Sequence, residues 1–378
     1  MASDINNILM VWISAVASLA YCRAIAKFMP AGFLRLMAVL PVISLFLIIP
    51  LQIKTMHIRG PTSFFLAWLA NFKLLLFVFG QGPLSTHPPL SLPRFIAVAC
   101  LPIKIIDQAP NLKPTHDPNS KTKQNPPPEI AEKDRKSQLN YAWKLLALSV
   151  FVYIYTKEQY FPRKFILLLY LVHVYIVLEM MLEIIAAFGR AVLGVELEPQ
   201  FKEPYLSSSL QDFWSRRWNL IVTGVLHPTV YAPVRSISAP LVGKGRAQFT
   251  AMMATFLVSG VMHEVMFYHL GGAKPTGEMT CFFLLHGFCV GMEVSLKRRV
   301  KNSSYYYNKV GKVVAELPRM VTGPVVVAFV LATALWLFMP TVLRSRVDVV
   351  AYQETLEYYH FVKGIYSPMR KQWFSLAS

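Results

Sequence analysis

Three groups of ionisable or amide side chains stand inside otherwise apolar stretches of this 378-residue chain. The first lies in "FLVSGVMHEVMFYHLGG", residues 256 to 272, where His263 and Glu264 are adjacent. On a helix, His263 shares a face with Ser259 and Gly260 one turn before and with Met266 and Phe267 one turn after. An imidazole placed there is desolvated, which disfavours its charged form and leaves it able to take a proton from a hydroxyl. The same residue could instead be a packing histidine bonded to Ser259 or to a carbonyl, because costly ionisable groups inside spans serve both ends. Glu264 points about 100° away from His263 and reads as support for a neighbouring helix. A zinc-protease pattern is excluded: it needs a second His four residues on, where Phe267 stands.

The second group is "SLQDFWSRRWN", Ser209 to Asn219. Arg216 and Arg217 between Trp214 and Trp218 make a cationic, aromatic patch that suits a phosphate-bearing amphiphile, or simple anchoring at a membrane interface. Asn219 opens the apolar run "WNLIVTGVL", where its amide can donate a hydrogen bond into the membrane. In the third group, "LHGFCVGMEVSLKRR", His286 and Glu293 fall nearly on one helical face and read as an interhelical polar contact rather than as catalysts. Asn71, Lys73, His173, Glu179 and Glu183 suggest a polar cavity within a helical bundle.

The elements that must hold these groups follow from composition. With 54% hydrophobic and only 15% charged residues, the chain is too apolar for an ordinary soluble domain. Spanning hydrocarbon takes about 20 mostly apolar residues, and Ile8 to Ala26, Phe33 to Leu51, Ser63 to Phe79, Phe165 to Phe188 and Val321 to Met339 qualify. Ala142 to Tyr155, Phe249 to Leu270 and Phe282 to Val294 are weaker. The expected fold is therefore all-α: a polytopic helical membrane protein of roughly eight transmembrane helices, forming one domain over residues 1–378. Two segments break the pattern. Residues 107–140 are polar and Pro-rich, expected as a flexible loop, and residues 190–235 are expected as short helices at the interface.

The net charge of +18 is spread between apolar segments rather than gathered on a polar domain, which argues against nucleic acid as a partner. The basic stretch "LKRRVKNSSYYYNKVGK" places that loop, and with it Arg216 and Arg217, on the cytosolic side. Arg23, Lys27 and Arg35 do not fit the same count. Cys22, Cys100, Cys281 and Cys289 are too scattered for a metal site, so no metal is expected.

Taken together, "SLQDFWSRRWN" followed some forty residues later by "VSGVMHE" resembles the wax synthase-like branch of the membrane-bound O-acyltransferases, the branch of plant long-chain-alcohol and sterol acyltransferases. The likeness extends through "WLANFKLLLFVFGQGPL", "FIAVACLPIKI", "VYAPVR" and "FFLLHG". The family pattern would have Gly at Ser215 and Arg at His227. The resemblance implies a catalytic tunnel in the bundle, with an acyl group moving from acyl-CoA, as co-substrate, to a lipid alcohol among the membrane lipids, without a further cofactor. It also implies His263 as general base or hydrogen-bond partner of the acceptor hydroxyl, Asn219 orienting the thioester or its oxyanion, and an endoplasmic reticulum location. Trp214, Trp218 and Ser259 would line the substrate path, and the charge and cytosolic side of Arg216 and Arg217, rather than the resemblance, make them candidates for the CoA phosphates. Diacylglycerol as acceptor, or a non-enzymatic lipid carrier on the same bundle, are the alternatives.

Overall fold

In hydrocarbon a backbone can satisfy its own N–H and C=O groups only as a helix or a closed barrel, and runs of Leu, Ile, Val and Phe this long give helices. The structure, a computed structural model, describes residues 2–101, 128–193, 200–302, 319–355 and 357. Among these there is no strand, and seven helices are long and apolar enough to cross a membrane: Asp4–Phe28, Phe33–Gln52, Met56–Val78, Arg163–Ala187, Lys244–Gly271, Glu278–Arg299 and Thr322–Arg344. The chain is thus an all-α, multi-pass integral membrane protein.

It divides into two units. The first joins residues 1–103 to 201–378. It holds α1 (Ala2–Phe28), α2 (Phe33–Ile48), α3 (Met56–Val78) and α4 (Leu92–Cys100). The second, residues 104–200, is a pair of helices, α5 (Pro128–Tyr155) and α6 (Arg163–Leu193). The first unit resumes with α7 (Leu210–Asp212), α8 (Leu220–Leu226), α9 (Ala232–Val242), α10 (Lys244–Gly271), α11 (Glu278–Asn302), α12 (Arg319–Thr333) and α13 (Met339–Arg344).

Two expectations change in the second unit. Residues 128–140 are the opening turns of α5 rather than loop, as suits Pro128 at its first position and the Glu, Ala, Lys and Gln that follow; residues 107–127 lie outside the described residues. The eighth expected span, Ala142 to Tyr155, is the second half of α5. Its uncharged part, 145–155, is roughly 16 Å long, about half the hydrocarbon thickness. Just before it, Lys144 is 2% exposed and pairs with Glu179 at 3.1 Å and Glu183 at 3.6 Å on α6. Those two acids therefore form an ion-pair seam between α5 and α6.

Helix ends leave backbone donors and acceptors without partners in their own helix. The charged residues of the first unit fill them by sign. At the start of α3, Asp4 accepts from the N–H groups of Lys54 and Thr55 at 2.9 and 2.8 Å, and Glu354 from those of Met56 and His57 at 2.6 and 3.0 Å. At helix C-terminal ends the cations donate instead: Arg35 to Met29 O and Phe77 O, Arg59 to Leu270 O, and Lys73 to Val98 O and Leu101 O at 2.6 and 2.7 Å. Each sign matches the helix dipole it meets. Arg23 likewise donates to Leu90 O. Arg23 and Arg35 are committed to internal carbonyls, which is why they defeat a positive-inside count. Asn71 donates to Ile43 O and Ala67 O, so it and Lys73 join chain segments rather than line a cavity.

The seam of α10 against α11 is close. A Cβ on Gly260 would stand 2.7 Å from Thr280 Cα, and one on Gly287 2.8 Å from Phe256 Cβ, so the two backbones meet where only glycine fits. Glu264, one turn beyond Gly260, reaches across this contact.

Candidate active site

His263 is held by its own helix and by three aromatic walls. Its Nδ1 lies 2.7 Å from the Ser259 carbonyl oxygen. A carbonyl can only accept, so Nδ1 carries the proton and Nε2 is left with its lone pair. The ring stands edge-on to Trp68 at 5.0 Å, tilted on Phe283 at 4.3 Å, and edge-on to Phe338 at 6.4 Å. No hydrogen bond to Nε2 is formed among the described residues. Ser259, buried beside it, contributes a backbone oxygen, a group any residue would bring.

Glu264 faces elsewhere. Its two carboxylate oxygens accept from the N–H groups of Thr276 and Thr280, both at 3.3 Å, capping the start of α11. Buried at 6% exposure, it is a helix support, as its angle from His263 suggests. Glu264→Ala leaves these donors unpaired and should lower stability by about 1–3 kcal/mol, whereas Glu264→Gln should recover part of it. The thermal unfolding midpoint of the detergent-purified protein checks this, and an unchanged midpoint for the Ala variant would refute the capping role.

The segment that carries Asn219 is irregular because it is pinned from several sides. After α7 the chain forms a π-helical turn, Phe213–Arg217, and Trp218 then becomes extended. Trp214 donates its indole N–H to His286 Nδ1 at 3.1 Å; His286 Nε2 meets Thr333 Oγ1 at 2.9 Å, and Thr333 donates on to Phe329 O. Both nitrogens of His286 are therefore occupied. Glu293 accepts from the Gln211 N–H at 3.1 Å and pairs with Lys297. His286 and Glu293 thus make polar contacts to other elements, as read from the sequence: each fastens a different point of the 209–217 segment to α11, and His286 also reaches Thr333 on α12. Trp214 also packs on Phe283, at 5.7 Å, and Phe283 is the ring beneath His263, so the segment and the histidine share a wall.

Arg216 and Arg217 separate. Arg217 donates through Nε to Asp212 at 2.8 Å and through a terminal nitrogen to the carbonyls of Lys202 and Glu203 at 3.0 and 3.2 Å. Burial works to raise the Asp212 carboxyl pKa, but the Ser208 N–H and the Arg217 guanidinium outweigh it and hold it below the usual carboxylate value. Arg217 therefore clamps the segment to Asp212 and to the 202–203 carbonyls. Arg216 is exposed, with no protein partner among the described residues. Trp218 stacks on Phe213, with centroids 5.3 Å apart and planes 18° from parallel.

Asn219 itself adopts a left-handed backbone, φ 39° and ψ 68°, which Asn tolerates better than most residues. Its Oδ1 accepts a long 3.4 Å bond from the Val222 N–H, capping α8, and its amide N–H groups face no protein acceptor among the described residues. No direct hydrogen bond joins Asn219 to His263. Ser215 and His227, where the family pattern differs, are both exposed: Ser215 bonds back to Gln211 O, and His227 stacks on Tyr231.

Sequence reasoning missed Trp68, Phe283, Phe338 and Thr333. Trp68 and Phe338 sit in two further π-helical stretches, Phe64–Ala70 and Ala334–Phe338, and such stretches often gather at functional sites. The Trp68 indole N–H is buried without a partner among the described residues. Among those residues no cluster of three His, Cys, Asp or Glu could hold a metal ion.

Residues 197–285, which contain both Asn219 and His263, match the family described as membrane bound O-acyl transferase. The chain is similar over nearly its whole length to several plant enzymes. It is 41% identical over 344 residues to acyl-CoA–sterol O-acyltransferase 1 of Arabidopsis thaliana, covering 91% of this chain and 92% of that one. It is 43% identical over 345 residues to the long-chain-alcohol O-fatty-acyltransferase of Simmondsia chinensis, again covering 91% and 92%. It is 41% identical to the probable long-chain-alcohol O-fatty-acyltransferase 1 of Arabidopsis thaliana, covering 94% and 96%.

Proposed function

The chain belongs to the membrane bound O-acyl transferase family, and from that premise we propose that it esterifies a membrane lipid alcohol, a sterol or a long-chain fatty alcohol, with an acyl group from acyl-CoA. It is an O-acyltransferase. The observation that carries the site assignment is the Nε2 of His263, without a partner among the described residues and held in the acceptor tautomer by the Ser259 carbonyl between three aromatic rings.

In this reading the alcohol hydroxyl gives its proton to His263 Nε2 as its oxygen attacks the thioester carbonyl carbon. The carbonyl becomes an oxyanion, which the Asn219 amide is suited to receive. The C–S bond then breaks, and the CoA thiolate takes the proton back from His263, giving ester and free thiol. Direct alcoholysis of a thioester asks for no ATP and no covalent enzyme intermediate, so no cofactor is assigned. Water must be kept out, because it would hydrolyse the thioester, and the walls of Trp68, Phe283 and Phe338 suit that task. The endoplasmic reticulum is the proposed location, on the family likeness.

Arg216, exposed and uncommitted, is assigned to the CoA phosphates, and Arg217 to holding the segment in place. Arg216→Gln should raise KM for acyl-CoA severalfold at unchanged kcat, consistent with loss of one charged contact. Arg217→Gln should instead reduce the amount of folded protein. Initial rates against acyl-CoA concentration decide it, since equal donor dependence in Arg216→Gln and wild type would leave Arg216 a mere anchor. The function itself is tested in membranes from a host without its own ester synthesis, crossing donor chain lengths with sterol, fatty alcohol and diacylglycerol. Ester with the first two acceptors supports the reading, and ester with diacylglycerol alone would replace it.

A further inference from the structure

A cavity of about 800 Å³ lies at the end of α10 and α11 remote from His263, lined by Val242, Gly245, Arg246, Phe249, Arg298 and Arg299, with Thr250 and Ser295 between them. Arg246 precedes His263 by roughly 26 Å of helix at ~1.5 Å per residue. The catalytic assignment makes no use of this place.

Its charge is one-sided. Arg246, Arg298 and Arg299 are all exposed, and the chain from 213 to 263 and from 294 to 315 contains no Asp or Glu. Glu293, the acid nearest in sequence to Arg298, is already held by Lys297 and the Gln211 N–H. Lys244 and Arg246 occupy the first turn of α10, which carries no acidic residue. That turn is the positive end of a 28-residue helix, so these cations sit against the dipole as well as against one another. Arg298 meets Gln248, a neutral partner that leaves its charge in place. Such a concentration calls for an anion, and helix N–H groups with guanidinium forks suit phosphate oxygens.

The apolar side of the cavity says which phosphate. Beside Val242 and Phe249, α9 presents Ile237 at 71% and Leu241 at 80% exposure, a face fitted to acyl chains rather than to water. A basic pocket between membrane helices with an apolar flank fits an anionic phospholipid, headgroup in the arginines and chains along α9. We propose that this cavity is a binding site for the phosphate headgroup of an anionic phospholipid, distinct from the site of acyl transfer. The phosphates of CoA share the recognising chemistry, and the test separates the two sources.

The full chain, purified in neutral detergent, is titrated with short-chain phosphatidic acid, with phosphatidylcholine of the same chains, and with adenosine 3′,5′-bisphosphate as the CoA fragment. Phosphatidic acid should bind and phosphatidylcholine should not. Arg246→Gln and Arg299→Gln should each weaken binding by roughly fivefold, the worth of one basic side chain at an anionic surface, and Arg246→Lys should retain most of it. Both positions are exposed, and the unfolding midpoint without ligand verifies that the variants fold. Displacement of phosphatidic acid by the bisphosphate, lost in the same variants, would overturn the lipid assignment in favour of the acyl donor. Equal binding in wild type and both Gln variants would overturn the site altogether. Because binding is the readout, the result is independent of whether acyl transfer occurs as proposed.

Discussion

His263→Ala is expected to lower ester formation by about 10²–10⁴-fold, the usual contribution of a positioned general base, with the protein still recovered from membranes. The reason lies in Nε2 of the ring, which has no hydrogen-bond partner among the described residues. Nδ1 is committed to the Ser259 carbonyl and the ring is fixed between Trp68 and Phe283, so Nε2 is presented in a single direction. A packing histidine would be missed differently. Its loss would lower the unfolding midpoint and the amount of active enzyme together, leaving the turnover of each folded molecule intact. The base reading predicts the reverse: kcat per folded molecule collapses, and added imidazole restores part of it. Rates normalised to folded protein distinguish the two.

Asn219 calls for more careful substitution, because the fold uses it as well. Ala at a left-handed position costs about 1–2 kcal/mol, so an inactive Asn219→Ala says little. Asn219→Gly accepts φ 39° freely and as a cap costs only a few tenths of a kcal/mol. It removes nothing else but the amide. The expected result is a folded protein whose kcat falls by about 10²–10³-fold, the worth of one oxyanion donor. Asn219→Asp, which keeps the capping oxygen but presents a negative charge where the oxyanion would form, should be at least as slow. Full activity in Asn219→Gly, alongside loss in Asn219→Ala, would mean that this residue serves only the backbone turn.

What the sequence made legible was the apolar length of the spans and the side chains too costly to be there by accident. Seven of the eight expected spans are present because about 20 apolar residues have few alternatives in a bilayer. His263, Asn219 and Glu264 stood out for the same reason. The partners did not, because pairing across helices leaves no mark at short range. Lys144 is one cation in a polar helix until α6 brings Glu179 and Glu183 to it. Arg35 looks like a loop charge until it is seen on Met29 and Phe77 carbonyls. His286 and Glu293 read as polar contacts between helices, but their partners, the Trp214 indole and the Gln211 N–H, come from a segment distant in sequence. The aromatic walls were hidden for another reason: Trp68 and Phe338 point inward from π-helical stretches, where the 3.6-residue period used to assign faces does not hold.

The central claim is that one molecule of acyl-CoA and one of lipid alcohol become ester and free CoA at His263. The direct measurement follows thiol release and ester formation in the same sample of purified enzyme, with and without a fatty alcohol or sterol. Equal yields of thiol and ester, both dependent on the alcohol and both lost in His263→Ala, are expected. Ester formed by His263→Ala at the wild-type rate, or thiol released without the alcohol and without ester, would contradict the account.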